Sequence, residues 1–181
     1  SDNYVITKTL LQPTNPLIMM ISTDGGVFRT TDGWSTFSNP RCCNRLDDIA
    51  FKPGDPNTVY AAGQEFWKST DNGVTWNQTI TGLPTASSIL RTAIGVSAAS
   101  PATVYTIMGD NNGGYLGTYR STNSGASFSL QSSSPNILNS AKNPGVSDIG
   151  GQASHDLAIA VSPVNANLIT IGGISQWRSV D

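Results

Sequence analysis

Charge is scarce in this sequence. Charged residues make up 12% of the 181-residue chain, about half the usual share, and ten basic against twelve acidic side chains leave a net charge of -2. So few cations cannot build the basic patch that binds nucleic acid or an anionic membrane. Histidine occurs once, and the two cysteines are neighbours, Cys42 and Cys43, so a zinc site or CxxC motif is excluded on spacing. No Gly-rich phosphate loop, Ser/His/Asp grammar or other cofactor signature occurs, and no cofactor or metal is expected. Long apolar runs are missing too. None approaches the roughly 20 residues that span a bilayer, so membrane insertion is not expected. The opening "SDNYVITKTL" lacks the charged and apolar regions of a signal peptide, although one could have been removed.

Adjacent cysteines have Cα atoms only about 3.8 Å apart, below the usual disulfide range. Two free or buried thiols, or a bond to a part of the protein outside this chain, are the expected alternatives.

What is abundant is turn chemistry. Eighteen Gly and ten Pro, with many Ser, Thr and Asn, are spread along the chain, so elements are short and turns frequent. That pattern, with 38% hydrophobic residues, indicates an all-β fold with a packed core, one domain or part of a larger one.

The chain also repeats itself. "TVYAAGQEFWKSTDNGVTW", 58–76, shares its grammar with "TVYTIMGDNNGGYLGTYRSTNSGASF", 103–128. A looser copy is "PLIMMISTDGGVFRTTDGWSTF", 16–37, and a fourth, "LITIGGISQWRSVD", occupies 168–181. Each holds an apolar run, a Gly, and then an aromatic, a cation and a hydroxyl: Phe28-Arg29-Thr30, Trp67-Lys68-Ser69, Tyr119-Arg120-Ser121 and Trp177-Arg178-Ser179. Two positions on stands Asp32, Asp71, Asn123 or Asp181, and in three copies an aromatic follows, Phe37, Trp76 or Phe128. A Pro- or Asn-rich corner precedes each run, and in three copies an apolar strand precedes the corner.

The unit reads as strand, corner, strand, Gly turn, strand, polar turn, strand. The acidic or amide positions are separated by 39, 52 and 58 residues, near the roughly 40 to 50 of common propeller blades. The expected architecture is an all-β β-propeller fragment of about three to four four-stranded antiparallel blades over 1–181. The polar turns lie at 30–37, 69–76 and 121–128, with a fourth cut short at 179–181. Since propellers close with roughly 4 to 8 blades, the remaining blades of the same protein are an expected partner.

"STDNGVTW", 69–76, matches the Asp-box pattern Ser-x-Asp-x-Gly-x-Thr-Trp at every specified position, and the sequence resembles the Asp-box (BNR) β-propellers, which include sialidases, sortilin-like receptors and endoxyloglucanases. "STNSGASF", 121–128, carries Asn123 and Ser127 for Asp and Thr. "TTDGWSTF", 30–37, puts Trp34 where the glycine belongs, with Gly33 one place early, which leaves its turn geometry open. A structural role is expected of Thr30, Asp32, Phe37, Ser69, Asp71, Gly73, Trp76, Ser121, Asn123, Gly125, Phe128, Ser179 and Asp181. The short side chains accept inward-pointing N–H groups, Gly73 permits positive φ, and the aromatic packs between blades. The resemblance implies that these boxes lie on the blade periphery, away from any catalytic or ligand face.

Sialidase chemistry needs an arginine triad, a tyrosine nucleophile and an aspartate acid. Of six arginines, Arg29, Arg120 and Arg178 belong to the repeat, and the remaining Arg41, Arg45 and Arg91 include two that flank the cysteines. Another glycosidase needs two carboxylates on one cleft. Asp47, Asp48, Asp148 and Asp156 are the candidates, as they stand just before first strands whose ends face the central opening. Strand-start caps and solvated carboxylates are the preferred alternative. His155 adjoins Asp156, but strand neighbours point to opposite faces, so no dyad is implied. "GDNNGGYLG", 109–117, lacks the ligands of a calcium loop and reads as a hairpin. "NQT" at Asn77 is an incidental sequon.

"HDLAIAVSPVNANLITIGGISQWRSVD", 155–181, resembles a stretch recurring in large secreted and surface proteins of Bacteroidetes, many exported by the type IX secretion system. The resemblance implies a secreted or cell-surface protein, a cargo of that secretion machinery, that binds a glycan or protein ligand. The alternative is a glycoside hydrolase of xyloglucanase or sialidase type.

Overall fold

The computed structural model describes residues 3–139 and 150–180. Fifteen strands among them form four antiparallel sheets. The first sheet holds β1 (Ile6–Leu11), β2 (Met19–Thr23), β3 (Gly26–Thr30) and β4 (Ser38–Cys42), and the second holds β5 (Leu46–Lys52), β6 (Asp55–Gly63), β7 (Phe66–Ser69) and β8 (Asn77–Thr79). β9 (Ile89–Val96), β10 (Val104–Asp110), β11 (Tyr115–Ser121) and β12 (Ser129–Ser132) make the third, and β13 (Ala158–Val161), β14 (Ile169–Gly172) and β15 (Gln176–Ser179) the fourth. Within each sheet the strands lie in chain order, the meander expected of a blade. The first sheet also has a strand before its corner, β1, although "ITKTLL" is too polar to announce it. β1 packs beside β5, β5 beside β9 and β9 beside β13, so the first strands line the inside of an arc of blades.

In the first three sheets the second and third strands are largely buried on both faces, and their apolar runs are therefore continuous rather than alternating. The period of two still sorts the side chains. In β6, Val59 and Ala61 face the first sheet with Met20, Val27 and Ile49, whereas Tyr60 and Ala62 face the third with Ile94, Val104 and Met108. In β10, Tyr105 and Ile107 turn the other way, towards Ile169 and Ile171 of the fourth sheet. One apolar cluster thus fills each of the three junctions, and each fully buried aliphatic side chain contributes about 1.5 to 3 kcal/mol.

The cysteines depart from both expected alternatives. Cys42 and Cys43 are bonded to each other, with Cα atoms 3.7 Å apart. Cys43 has a φ of 85°, and this turn at the end of β4 brings the two side chains together. Among the described residues no helix is long and apolar enough to cross a membrane.

Candidate functional site

Strand direction gives the arc two ends. The corners and polar turns share one end; the Gly turns and the links between sheets share the other.

At the first end, three boxes each close around a hydroxyl and the Asp or Asn two residues on. Ser69 Oγ accepts the N–H of Asp71 and of Gly73 and donates to Asp71 Oδ1. Asp71 in turn accepts the N–H of Val74 and Thr75 and the Thr75 hydroxyl at 2.6 Å. Desolvation, the largest single influence on Asp71, pushes its pKa up, but the donors of Thr75, Ser69 and Val74 outweigh it and bring it to about 2. Asp32 is likewise lowered, chiefly by the Thr36 hydroxyl and N–H and by Thr30. Asn123 accepts the N–H of Ala126 and Ser127 and donates through Nδ2 to Ser127 Oγ at 2.8 Å.

The first box closes in the same geometry as the others despite Trp34 in the glycine position. Trp34 adopts φ 72°, as Gly73 and Gly125 do at 80° and 74°, and its N–H reaches Thr30 Oγ1 at 3.0 Å. Ser179 ends β15, while Asp181 lies outside the described residues.

The boxes also touch the preceding sheet. Arg29 of β3 donates to the Asn72 carbonyl of the second box at 2.8 Å, and Thr79 of β8 to the Gly125 carbonyl of the third at 2.8 Å. Phe128 stacks edge-on against Phe66, 4.8 Å between centroids, and Trp76 packs on the core of the first junction.

At the other end, a cavity of about 220 Å³ opens between the first strands, with Lys8, Asp47, Asp48 and Arg91 in its wall. Asp47 and Asp48 lie within β5 rather than before it, and both are buried, not solvated. A register shift between Leu46 and Asp48 breaks the alternation, so neighbouring carboxylates turn to the same junction. β9 pairs only with β10, which leaves alternate N–H groups of β9 without a ladder partner. Asp47 accepts the N–H of Thr92 at 3.2 Å and Asp48 that of Ile94 at 2.8 Å. Their remaining oxygens take Arg45 Nε at 2.8 Å and Lys8 Nζ at 2.5 Å with the Ile49 N–H. Burial pushes the Asp47 carboxyl up against the pull of Arg45 and Thr92.

Asp156 is exposed in the segment ahead of β13, and Asp148 lies outside the described residues. His155 is not on a strand either; its N–H and that of Asp156 both donate to the Gln152 carbonyl. The three arginines outside the repeat have separate partners. Arg41 stacks on Trp67 at 3.7 Å and pairs with Glu65, Arg45 holds Asp47, and Arg91 donates to the Ser154 and His155 carbonyls. Sequence reasoning missed Lys8 and Glu65, whose partners lie 40 and 24 residues away.

The sequence matches no protein-family model and no curated protein. Solved structures do match. A GH74 xyloglucanase from Xanthomonas campestris is 15% identical with a TM-score of 0.66, over 96% of this chain and 28% of that one. An ancestral GH74 enzyme is 20% identical, TM-score 0.63, over 92% and 21%. YCF48 from Cyanidioschyzon merolae is 16% identical, TM-score 0.54, over 93% and 53%. The likeness shows a shared fold, a fragment of a β-propeller, and this chain spans 21 to 53% of those chains.

Proposed function

We propose that the protein is a noncatalytic β-propeller that binds or scaffolds a glycan or protein ligand, secreted or at the cell surface. The observation that carries this reading is the fate of Asp47 and Asp48: each carboxylate caps a free N–H of β9 and pairs with a cation. Neither is left to move a proton. The resemblance of the 155–181 stretch to exported Bacteroidetes proteins supports the location and a role as type IX cargo, and the Cys42–Cys43 bond suits an oxidising compartment. A glycan-array screen and a reducing-sugar assay on the full-length protein test the reading. Ligand binding without sugar release supports it, and release of sugar from a polysaccharide sinks it.

One observation favours the second reading, a glycoside hydrolase. Asp47 has a raised pKa at the mouth of a propeller-like arc, as a general acid requires, and the fold is shared with GH74 enzymes. In that reading its base lies in the remaining blades.

A further inference from the structure

Ile94 of β9 and Ile159 of β13 hold the same position in their sheets. Each stands two residues before a valine, Val96 or Val161, that lies opposite the first residue of the second strand, Val104 or Ile169. By the same register Asp48 of β5, three residues before Phe51 opposite Val59, corresponds to Ala93 of β9. The Ile94 N–H is capped by Asp48 across the second junction. Ile159 has no such cap. Ser162 N–H donates to the Leu168 carbonyl at 2.9 Å, and the alternation of an antiparallel ladder then turns the Ile159 N–H away from β14 and towards β9. On that side β9 carries Ala93, whose methyl packs in the third junction, where β5 carries an aspartate. The Ile159 N–H has no acceptor among the described residues.

The charges differ in the same way. Asp48 and Asp47 are paired with Lys8 and Arg45. Arg91 lies two residues before Ala93 and so on the same face of β9. It donates to the Ser154 and His155 carbonyls and pairs with no carboxylate among the described residues. The cavity of about 220 Å³ between the first strands reaches both groups, since Arg91, Ala93, Leu157 and Ile159 belong to its wall. Arg91 and Ile159 are half-buried. No outer strand and no box borders this space.

Resting on the binding reading above, we propose that the cavity seats a carboxylate at the third junction, that of a free sugar acid or of a uronate unit in a glycan. One oxygen accepts the Ile159 N–H as Asp48 accepts that of Ile94, and the other pairs with Arg91 as Asp48 pairs with Lys8. The ligand thus supplies the group that the chain supplies one blade earlier. A neutral sugar leaves the guanidinium without its counter-charge, and an amine adds a third cation to Lys8 and Arg91. The volume is below the roughly 300 to 1,000 Å³ of sites that enclose a whole ligand, so the charged group enters and the rest of the ligand lies in the central opening.

Calorimetric titration of the full-length protein with glucuronate, galacturonate and tetragalacturonate tests the proposal, with galactose as the neutral control. At least one acid is expected to bind and galactose not to; tighter binding of the tetramer than of the monomers marks a glycan unit, and the reverse a free acid. Arg91→Gln is expected to weaken binding by about tenfold or more. Ala93→Asp, which supplies the carboxylate from the chain itself, is expected to abolish binding without lowering the melting temperature. Where Ala93→Asp does not fold, Arg91→Gln decides. Absence of binding by all three acids, equal binding of galactose, or acid binding unchanged in Arg91→Gln overturns the proposal. Binding of another glycan that both substitutions leave intact, with no acid bound, overturns this seat alone and leaves the binding reading standing. Sugar release with acid binding still lost in Arg91→Gln does the reverse.

Discussion

The Asp48 carboxylate accepts the N–H of Ile94 across a blade junction at 2.8 Å. Its other oxygen holds Lys8 of the first sheet, so one side chain joins three blades. Asp48→Ala leaves the N–H groups of Ile94 and Ile49 and the Lys8 ammonium without their acceptor. The expected loss is about 2 to 4 kcal/mol, because unpaired buried polar groups cost more than the bonds gain. Asp48→Asn keeps part of the acceptor set and is expected to lose less. Urea denaturation checks both. A large loss of ligand turnover in Asp48→Asn with an unchanged midpoint would assign the residue to chemistry instead.

Asp71 and Asp47 respond to pH with opposite signs. The folded pKa of Asp71 is about 2, below its ordinary 3.8. Its contribution to stability is present above pH 3.8 and is lost as pH falls towards 2. Asp47 is raised, so its contribution is present below 3.8 and is lost as pH rises through the elevated folded value. Asp71→Asn is expected to flatten the acid limb of a melting-temperature profile between pH 4 and 2. At neutral pH it is expected to cost part of that contribution, the amide still accepting the N–H groups and donating to the Thr75 hydroxyl as Asn123 does to Ser127. Unchanged acid sensitivity in Asp71→Asn rejects this account. Thermal unfolding across pH 2 to 7 compares the variant with the unsubstituted protein.

The boxes were legible because their bonds run between residues two to four apart, as from Ser69 to Gly73. Spacing alone can encode such a turn. The role of Asp47 and Asp48 was not legible, since the N–H groups that donate to them lie 45 and 46 residues away on a strand edge that exists only once the blades are side by side. A bulge beside them also cancels the alternation by which neighbours are sorted to opposite faces. The cysteine bond depends on a positive φ at Cys43, which nothing in "RCCNR" announces.

Gly73 and Trp34 hold the same left-handed position in different company. A Cβ on Gly73 meets Met20 Sδ of the preceding sheet at 2.6 Å, so Gly73→Ala combines a backbone penalty of about 1 to 2 kcal/mol with overpacking of about 1 to 3 kcal/mol. Trp34 has no preceding sheet among the described residues, and its indole lies beside Phe37 at 6.3 Å. Trp34→Gly therefore relieves the backbone at the cost of one ring contact, and is expected to shift stability by less than about 1 kcal/mol. Equal penalties for the two substitutions in a denaturant series contradict the idea that the preceding sheet dictates glycine here.

Phe37 and Phe128 close their boxes from equivalent positions, yet Phe37 is 65% exposed and Phe128 only 7%. The difference is the neighbour. Phe128 rests on Phe66 of the second sheet, whereas the rings beside Phe37 among the described residues, Phe28 and Trp34, belong to its own sheet and box. Phe128→Ala is expected to cost about 3 to 5 kcal/mol, as for a buried aromatic, and Phe37→Ala less than about 1 kcal/mol in this chain. With Tyr4, Ile21 and Phe28, Phe37 lines an open cleft of about 580 Å³ on the face that corresponds to the junctions filled elsewhere. In the full-length protein a further blade on that face would raise the cost of Phe37→Ala towards that of Phe128→Ala. Comparing the two substitutions in the 181-residue chain and in the full-length protein therefore reads out whether the face is covered, and an unchanged Phe37 penalty shows that it is not.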